Sequence, residues 1–332
     1  MRFVRQAYKR GDALCQPGDA HPPDSRQVAV RGAVAALLLA LTATACGDPH
    51  PQRAPGEGDR ADPGSSVESA DPRPPDHAPP ARSLTHYAER LLAEHRRRQV
   101  AAEHWKLARP PLTPPPPPAV KPRLHTPHGF RAAPGEDRVP KVITRVPTRE
   151  KVVFITVDDG DHQSPALSRM LADLDVPISA FLTHDEVGGG YPYFRTLRRQ
   201  GVAAHNHTLT HPYLPRLSTR QQRREICDQQ DNLERELGER PRFFRPPFGA
   251  YDRRTLDVAA SCGVEVVPLW SEEAFPDRLE YRDGDRLRPG DIILTHFRGP
   301  GDWNGTMPQA IRRILKEATD QGFAVARLED YL

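Results

Sequence analysis

The stretch that decides the fold is KVVFITVDDG, Lys151–Gly160. Its apolar run, 152–157, has the length and β-branched content of a buried strand. The run ends in two adjacent carboxylates, Asp158 and Asp159, followed by a glycine. Two like charges at the end of a buried strand are costly unless a partner neutralises them. A strand that simply ends in a solvated turn is the alternative, since Asp and Gly are common turn residues.

From residue 140 onward, short apolar runs alternate with helical patterns. This alternation with short loops favours a parallel α/β domain. With about seven strands in roughly 190 residues, we expect a distorted (β/α) barrel rather than an open doubly wound sheet. The predicted strands are 152–157, 178–183, 202–206, 242–245, 264–270, 291–296 and 323–328, and the predicted helices are 164–174, 193–201, 218–237 and 308–321.

The chain before residue 140 is predicted to hold a leader and a linker. Arg31 precedes an uncharged segment, 32–45, which is too short to span a bilayer but suits a secretion signal. We expect residues 1–46 to be a bacterial lipoprotein leader cut before Cys46, which would carry the lipid. An ordinary signal peptide cut near Ala45 is the alternative, and the true start codon stays open.

Residues 47–139 are predicted to form a Pro-rich linker that begins as a disordered tether. One amphipathic helix is expected over 84–107, and a stiff polyproline spacer follows it. The apolar side chains assigned to one face of this helix are Leu84, Tyr87, Leu91, Leu92 and Val100.

Charge and cysteine content limit the partners and the compartment. The net charge of +3 is small and no basic patch with interleaved aromatics occurs, so nucleic acid is not an expected partner. Membrane contact is expected through the lipid anchor only, and no obligate protein partner is predicted. Cys227 and Cys262 remain in the folded part, in a compartment that permits disulfides. Whether they pair depends on their Cα separation and stays open.

Polar residues follow several predicted strands. In a parallel barrel the carboxyl ends of the strands meet at one face, where catalytic groups collect. His207 and His211 are four residues apart, so on a helical turn both imidazoles would face one metal ion. With Asp159 they would form an open three-ligand site, and Asp158, expected to point in a different direction, would remain as a base. Arg245 and His296 also follow strands.

Four motifs occur in order: TVDDG (156–160), HTLTH (207–211), RPPFG (245–249) and LTHF (294–297). Together they resemble the polysaccharide deacetylase family, also called the NodB-homology or carbohydrate esterase family 4 group, over residues 150–332. The resemblance implies a metal-dependent N-deacetylase of N-acetylglucosamine-containing polysaccharide, with peptidoglycan expected first. A non-catalytic cell-surface carbohydrate-binding protein is one alternative, and an O-acetyl esterase or small-amide hydrolase is another. The expected location is extracytoplasmic, as an anchored lipoprotein or a secreted protein.

The resemblance also implies a role for each matching residue. Two histidines and one aspartate suit Zn²⁺, and Co²⁺ or Ni²⁺ could occupy the same ligands, so the metal's identity stays open. The implied set is Asp159, His207 and His211 as metal ligands, Asp158 as base, Arg245 as the residue that orients it, His296 as acid, the N–H of Phe248 as oxyanion donor, Pro247 and Trp270 beside the substrate, and Ile293 in the acetate pocket.

The sequence departs from the family pattern in one motif that matters for the acid. The family places two aspartates and a tryptophan there, whereas this chain has LWSEEAFPD, 269–277. A carboxylate from this motif would raise the pKa of His296. Glu272, Glu273 and Asp277 stay open as that carboxylate.

Overall fold

The computed structural model describes residues 81–131 and 139–332. The predicted leader, Cys46 and the first part of the predicted tether lie outside these residues. Within the described ranges, no helix has the length and apolarity that a membrane span requires.

The elements follow the predicted alternation of strands and helices. The strands are β1 Lys141–Ile143, β2 Val152–Asp159, β3 Ser179–Leu182, β4 Ala203–Asn206, β5 Val266–Pro268, β6 Glu272–Ala274, β7 Leu279–Tyr281, β8 Ile292–His296 and β9 Ala324–Val325. The α-helices are α1 Ala81–His104, α2 Pro165–Leu174, α3 His184–Val187, α4 Tyr191–Arg199, α5 Thr219–Arg223, α6 Gln229–Leu237, α7 Arg253–Ser261 and α8 Met307–Asp320.

The strands form a distorted (β/α) barrel, as the sequence predicts. The largest sheet has the order β4-β3-β2-β8-β6-β7, and β2 pairs in parallel with both β3 and β8. Single bridges, Asn206 to Phe244 and Phe243 to Val266, continue the ring from β4 to β5, which pairs with β1. A bridge from Arg145 to Asp291 returns it to β8. The predicted strand 242–245 is therefore reduced to bridges, and β6 and β7 form an unpredicted antiparallel hairpin.

Strand β2 is buried along its whole length because it lies between two apolar layers. One layer fills the barrel and includes Phe154, Phe181, Phe243 and Ile292. The other lies between the sheet and helices α2, α4 and α8. Full burial of each such side chain stabilises the fold by about 1.5–3 kcal/mol relative to exposure.

The predicted helix 218–237 contains a widened turn, the π turn Arg224–Asp228, between α5 and α6. The helix begins at a capping box formed by Ser218 and Gln221. It ends at Gly238, whose φ of +79° is the left-handed conformation that glycine tolerates. A disulfide joins Cys227 in the π turn to Cys262 at the end of α7, with a Cα–Cα distance of 5.0 Å. This bond answers the question that the sequence left open.

The C-terminal part of helix α1 and the residue after it contact the barrel domain, and not the face that the sequence indicates. Ala101 and Ala102 are buried, and Nε1 of Trp105 donates to Oδ2 of Asp173 at 2.9 Å. The assigned apolar side chains whose exposure is described, Tyr87, Leu91, Leu92 and Val100, are all exposed.

The Pro-rich segment 107–131, named the strap below, packs along the domain. Leu112 forms a bridge with Ala324, and Oγ1 of Thr126 accepts from N–H of Val142 at 3.1 Å. Nζ of Lys121 donates to the carbonyl of Glu329 at 3.0 Å. The segment that the sequence predicts as a stiff polyproline spacer therefore packs on the barrel through backbone and apolar contacts.

Candidate active site

The two carboxylates at the end of β2 face the same group of side chains. Asp158 and Asp159 are both 2% exposed, and Nε2 of His207 lies 3.6 Å from Oδ2 of Asp158 and 3.6 Å from Oδ1 of Asp159. We expected the two residues to point in different directions. That expectation is wrong because Asp159 has a φ of +77°, which interrupts the strand alternation, and Gly160 continues at +115°.

Asp159, His207 and His211 form the candidate metal centre. Their ligand atoms all lie within 4.8 Å of one another. Burial lowers the pKa of both imidazoles to about 4, so each ring is neutral near pH 7. Burial alone would raise the pKa of Asp159, but the protonated forms of His296, His211 and His207 and the guanidinium of Arg298 outweigh it and hold that pKa at about 2. Two neutral imidazoles and an ionised carboxylate are the donors that a divalent metal such as zinc binds.

The ring of His207 is held in one orientation by the backbone. Its Nδ1 lies 2.7 Å from the carbonyl of Arg245. A carbonyl only accepts, so Nδ1 carries the proton and Nε2 keeps its lone pair for the candidate metal centre. The donor set and the tautomer therefore both fit a bound cation.

The two histidines lie on a loop and not on the helical turn that their spacing suggested. Thr208 and His211 have positive φ values of +76° and +56°. N–H of Thr208 donates to Oδ1 of Asn206 at 2.8 Å, and N–H of His211 donates to Oγ1 of Thr208 at 3.1 Å. This turn still brings the two rings together, with centroids 4.9 Å apart.

Asp158 is paired with a buried arginine. Nη1 of Arg245 donates to Oδ1 of Asp158 at 2.7 Å and to Oγ1 of Thr156 at 2.9 Å. Nε donates to the carbonyl of Pro268 at 2.8 Å, and the guanidinium lies 4.2 Å from the ring centroid of Phe181. Burial raises the pKa of Asp158 to about 6. A carboxyl that is fixed in place and titrates near neutrality is suited to accept a proton.

The carboxylate beside His296 is Glu273. Its Oε1 lies 3.9 Å from Nδ1 of His296, and both side chains are buried. Glu272 instead accepts a hydrogen bond from Oγ of Ser271 at 2.5 Å. Asp277 is exposed and pairs with its neighbour in sequence. Of the three acidic residues that the sequence left open, Glu273 is the one that can act on the charge of His296.

Three further predicted residues form one edge of the site. Phe248 has a φ of +61°, and its ring centroid lies 4.7 Å from that of His211. Pro247 precedes it and is buried. A Cβ at Gly249 would lie 3.2 Å from the ring of Trp270, so the absence of a side chain lets this loop rest on the indole.

The structure does not place Ile293 in the site. Successive residues of β8 face opposite sides, and Ile293 packs with Ile311 in the layer between sheet and helices. Leu294 shares the face of His296 and is buried. The structure therefore does not bring Ile293 together with the other candidate site residues.

Sequence reasoning missed Arg298. Its Nη2 donates to Oδ2 of Asp159 at 2.7 Å, and its side chain is 23% exposed. A tight turn from N–H of Arg298 to the carbonyl of His296 at 3.0 Å brings it there. Oδ1 of Asp159 therefore faces the imidazoles, while its Oδ2 is bound by the guanidinium of Arg298. The only sequence signal was a basic residue two positions after His296.

This combination of a parallel barrel, a two-histidine, one-carboxylate group and an arginine-paired carboxylate at the ends of the strands is typical of metal-dependent hydrolases. A family model described as polysaccharide deacetylase matches residues 145–267. A chitooligosaccharide deacetylase of Azorhizobium caulinodans is 31% identical, and the match covers 55% of this chain and 96% of that protein. The chain belongs to the polysaccharide deacetylase family.

Two other relatives extend the comparison. An uncharacterized protein of Streptomyces coelicolor is 39% identical over 197 residues, which cover 59% of this chain and 78% of that protein. The peptidoglycan-N-acetylmuramic acid deacetylase PdaC of Bacillus subtilis is 32% identical, and the match covers 56% of this chain but 40% of PdaC.

Solved structures confirm the fold. A peptidoglycan N-acetylglucosamine deacetylase has a TM-score of 0.51 at 21% identity, covering 60% of this chain and 97% of that chain. A carbohydrate esterase family 4 pseudoenzyme from Bacillus anthracis has a TM-score of 0.50 at 21% identity, covering 59% of this chain and 70% of that chain.

Proposed function

We propose that this protein is a metal-dependent N-deacetylase of N-acetylglucosamine-containing polysaccharide, with peptidoglycan as the substrate. The observation that carries the proposal is the buried pair of Asp158 and Arg245 beside the Asp159, His207 and His211 group. A carbohydrate-binding protein without activity would not need a buried carboxylate with a raised pKa at that position. The arrangement supplies a base, a candidate metal centre and an acid within one site.

The substrate and location are inferred from the relatives and from the leader pattern. The two characterised relatives named above are deacetylases of peptidoglycan and of chitooligosaccharide. We infer an extracytoplasmic protein, anchored through Cys46 or secreted, because peptidoglycan lies outside the cytoplasmic membrane. Zn²⁺ is the proposed metal because imidazole and carboxylate donors suit it.

The chain's own residues divide the reaction between them. A divalent cation at Asp159, His207 and His211 would polarise the acetamide carbonyl and lower the pKa of a water molecule. Asp158 accepts the proton of the attacking water, and Arg245 holds its carboxylate in place. His296 donates a proton to the departing nitrogen, which leaves acetate and a free amino sugar.

The remaining site residues bind and orient the sugar. The N–H of Phe248 stabilises the developing oxyanion, a role that needs only the peptide group. Pro247 and Trp270 line the same edge of the site, so they contact the substrate there.

The test is acetate release from peptidoglycan, chitooligosaccharide and an O-acetylated xylan, each with added zinc and with chelator. We expect zinc-dependent release that is highest on peptidoglycan and is lost in Asp158→Asn. Equal release by wild type and Asp158→Asn would refute the proposal. Glycan binding with no release on any substrate would instead support the non-catalytic alternative, and preference for the xylan would indicate an esterase.

A further inference from the structure

The loop that carries both candidate histidine ligands is held from outside by one carboxylate. Oε2 of Glu225 accepts from N–H of Leu209 at 3.1 Å and from N–H of Thr210 at 2.9 Å. Its Oε1 accepts from Oγ1 of Thr210 at 3.0 Å, and its own carbonyl accepts from N–H of Leu209 at 3.2 Å. Glu225 thus binds Leu209 and Thr210, which lie between the two histidines, through three donor atoms: both backbone nitrogens and the Thr210 hydroxyl.

The same loop needs such support because its backbone is in an unfavourable conformation. Thr208 and His211 both have positive φ values, which residues with a Cβ adopt only when the surroundings impose them. Released from Glu225, the loop would relax toward other conformations. The distance between the two imidazoles would then no longer be fixed.

Glu225 reaches the loop because it lies in the π turn. The amide of Asn206 contacts this turn too, since its Nδ2 donates to the carbonyl of Ile226 at 2.8 Å and to Oε1 of Gln230 at 3.0 Å. Glu225 and Gln230 are five residues apart, which in an α-helix separates side chains by about 140°. A π turn, with its i to i+5 spacing, lets both face the segment that follows β4.

The disulfide lies in the same turn. Cys227 is two residues after Glu225, and its partner Cys262 is buried at the end of α7. A covalent bond from the middle of the π turn to a neighbouring helix restrains the turn from returning to regular α-helix. The disulfide is thus connected to the π turn, and the π turn is connected through Glu225 to the loop with the candidate histidine ligands.

We propose that Glu225 is a positioning residue for the His207–His211 loop, and that the Cys227–Cys262 disulfide supports it by holding the π turn. The inference rests on the proposed metal site. It adds that metal affinity depends on Glu225 and on the disulfide, although neither contacts a ligand atom. An oxidising compartment, which keeps Cys227 and Cys262 as a disulfide, therefore favours the metal-binding form.

The experiment measures zinc affinity of the full chain by competition with a chromogenic chelator. Glu225→Gln keeps the size of the side chain but removes its negative charge and one of its two acceptor oxygens. Glu234→Gln is the matched control, since Glu234 is exposed on α6 and its side chain pairs with Arg240 on the surface. We expect Glu225→Gln to bind zinc about tenfold or more weakly, and Glu234→Gln to stay within twofold of wild type.

Thermal unfolding of the metal-free proteins separates positioning from general stability. A purely structural role would lower the unfolding temperature of Glu225→Gln and leave its zinc affinity within twofold of wild type, which would overturn the inference. If Glu225→Gln does not fold, Thr210→Val removes only the hydroxyl contact and decides the question. It should weaken zinc binding several-fold, and unchanged binding would refute the proposal.

The disulfide is tested with the double variant Cys227→Ala, Cys262→Ala. We expect weaker zinc binding than wild type, and equal affinity would overturn the role of the disulfide. A wild-type protein that binds no zinc would overturn the proposed function together with this inference. Zinc binding by wild type that Glu225→Gln retains would refute only the inference.

Discussion

The contact between Glu273 and His296 predicts how the enzyme's activity depends on pH. Oε1 of Glu273 lies 3.9 Å from Nδ1 of His296, with both groups buried. Two unit charges about 4 Å apart interact by about 1 kcal/mol in water and about 4 kcal/mol at an effective dielectric constant near 20. Burial lowers the pKa of His296, and the carboxylates of Asp159 and Asp158 oppose that shift. A negative charge on Glu273 acts in the same raising direction.

The perturbation is Glu273→Gln, and the assay is acetate release measured across pH 5–10. An acid must carry its proton, so activity falls as pH rises through the pKa of His296. Removing the carboxylate lowers that pKa, and the alkaline limb of the profile should move to lower pH. Activity at pH 8 should fall by about fivefold or more, which corresponds to an interaction of about 1 kcal/mol or more.

Two neighbouring carboxylates provide the controls. Glu272→Gln and Asp277→Asn remove acidic groups from the same motif, but these side chains contact Ser271 and Arg278 instead. Neither should move the alkaline limb. An unchanged limb in Glu273→Gln, or an equal shift in Glu272→Gln, would refute the assignment of Glu273.

Three more outcomes follow from the buried charges. Asp158→Asn should reduce acetate release by about 10²–10⁴-fold while zinc binding persists, since it removes the base and no ligand; loss of zinc binding would contradict this division of roles. Arg245→Met should cost about 3–5 kcal/mol in urea unfolding because it strands a buried charge, whereas Arg298→Met, at a partly exposed pair, should cost less. Burial and the neighbouring Asp291 raise the pKa of Glu272 to about 8, above its ordinary value. Stability should therefore fall as pH rises between about 4.5 and 8, and Glu272→Gln should flatten that slope in urea unfolding; an equal slope would refute the pKa assignment.

The parts of the fold that the sequence predicts well are those set by local patterns. Strand β2 and helix α2, with Ser164 as its cap, follow from an apolar run and a capping signal. The structure of segment 242–245 was harder to predict. Only single bridges connect it to its neighbours, and no periodicity in the sequence distinguishes such bridges from a full strand. The packing of the strap was not predicted, because prolines indicate an extended chain but do not indicate what that chain packs against.

The site shows the same division between identity and geometry. Residue types and spacing were enough to group Asp159, His207 and His211. The backbone conformation that unites them was not predictable, because a positive φ at a non-glycine residue is imposed by tertiary contacts. The choice of Glu273 likewise depends on the register of β6 against β8, which pairs Glu273 with Leu294 on the face of His296, and a one-residue shift would have selected Glu272.

The strap has a practical consequence for anyone who trims this protein to its family core. The matching family region begins at residue 145, so a truncation at that point would excise the strap together with β1. The truncation would also remove Leu107 and Ala102, which are both buried, and would expose the apolar surface that they cover. If such a shortened protein precipitates, the cause would be the newly exposed apolar surface and not a defect in the catalytic domain.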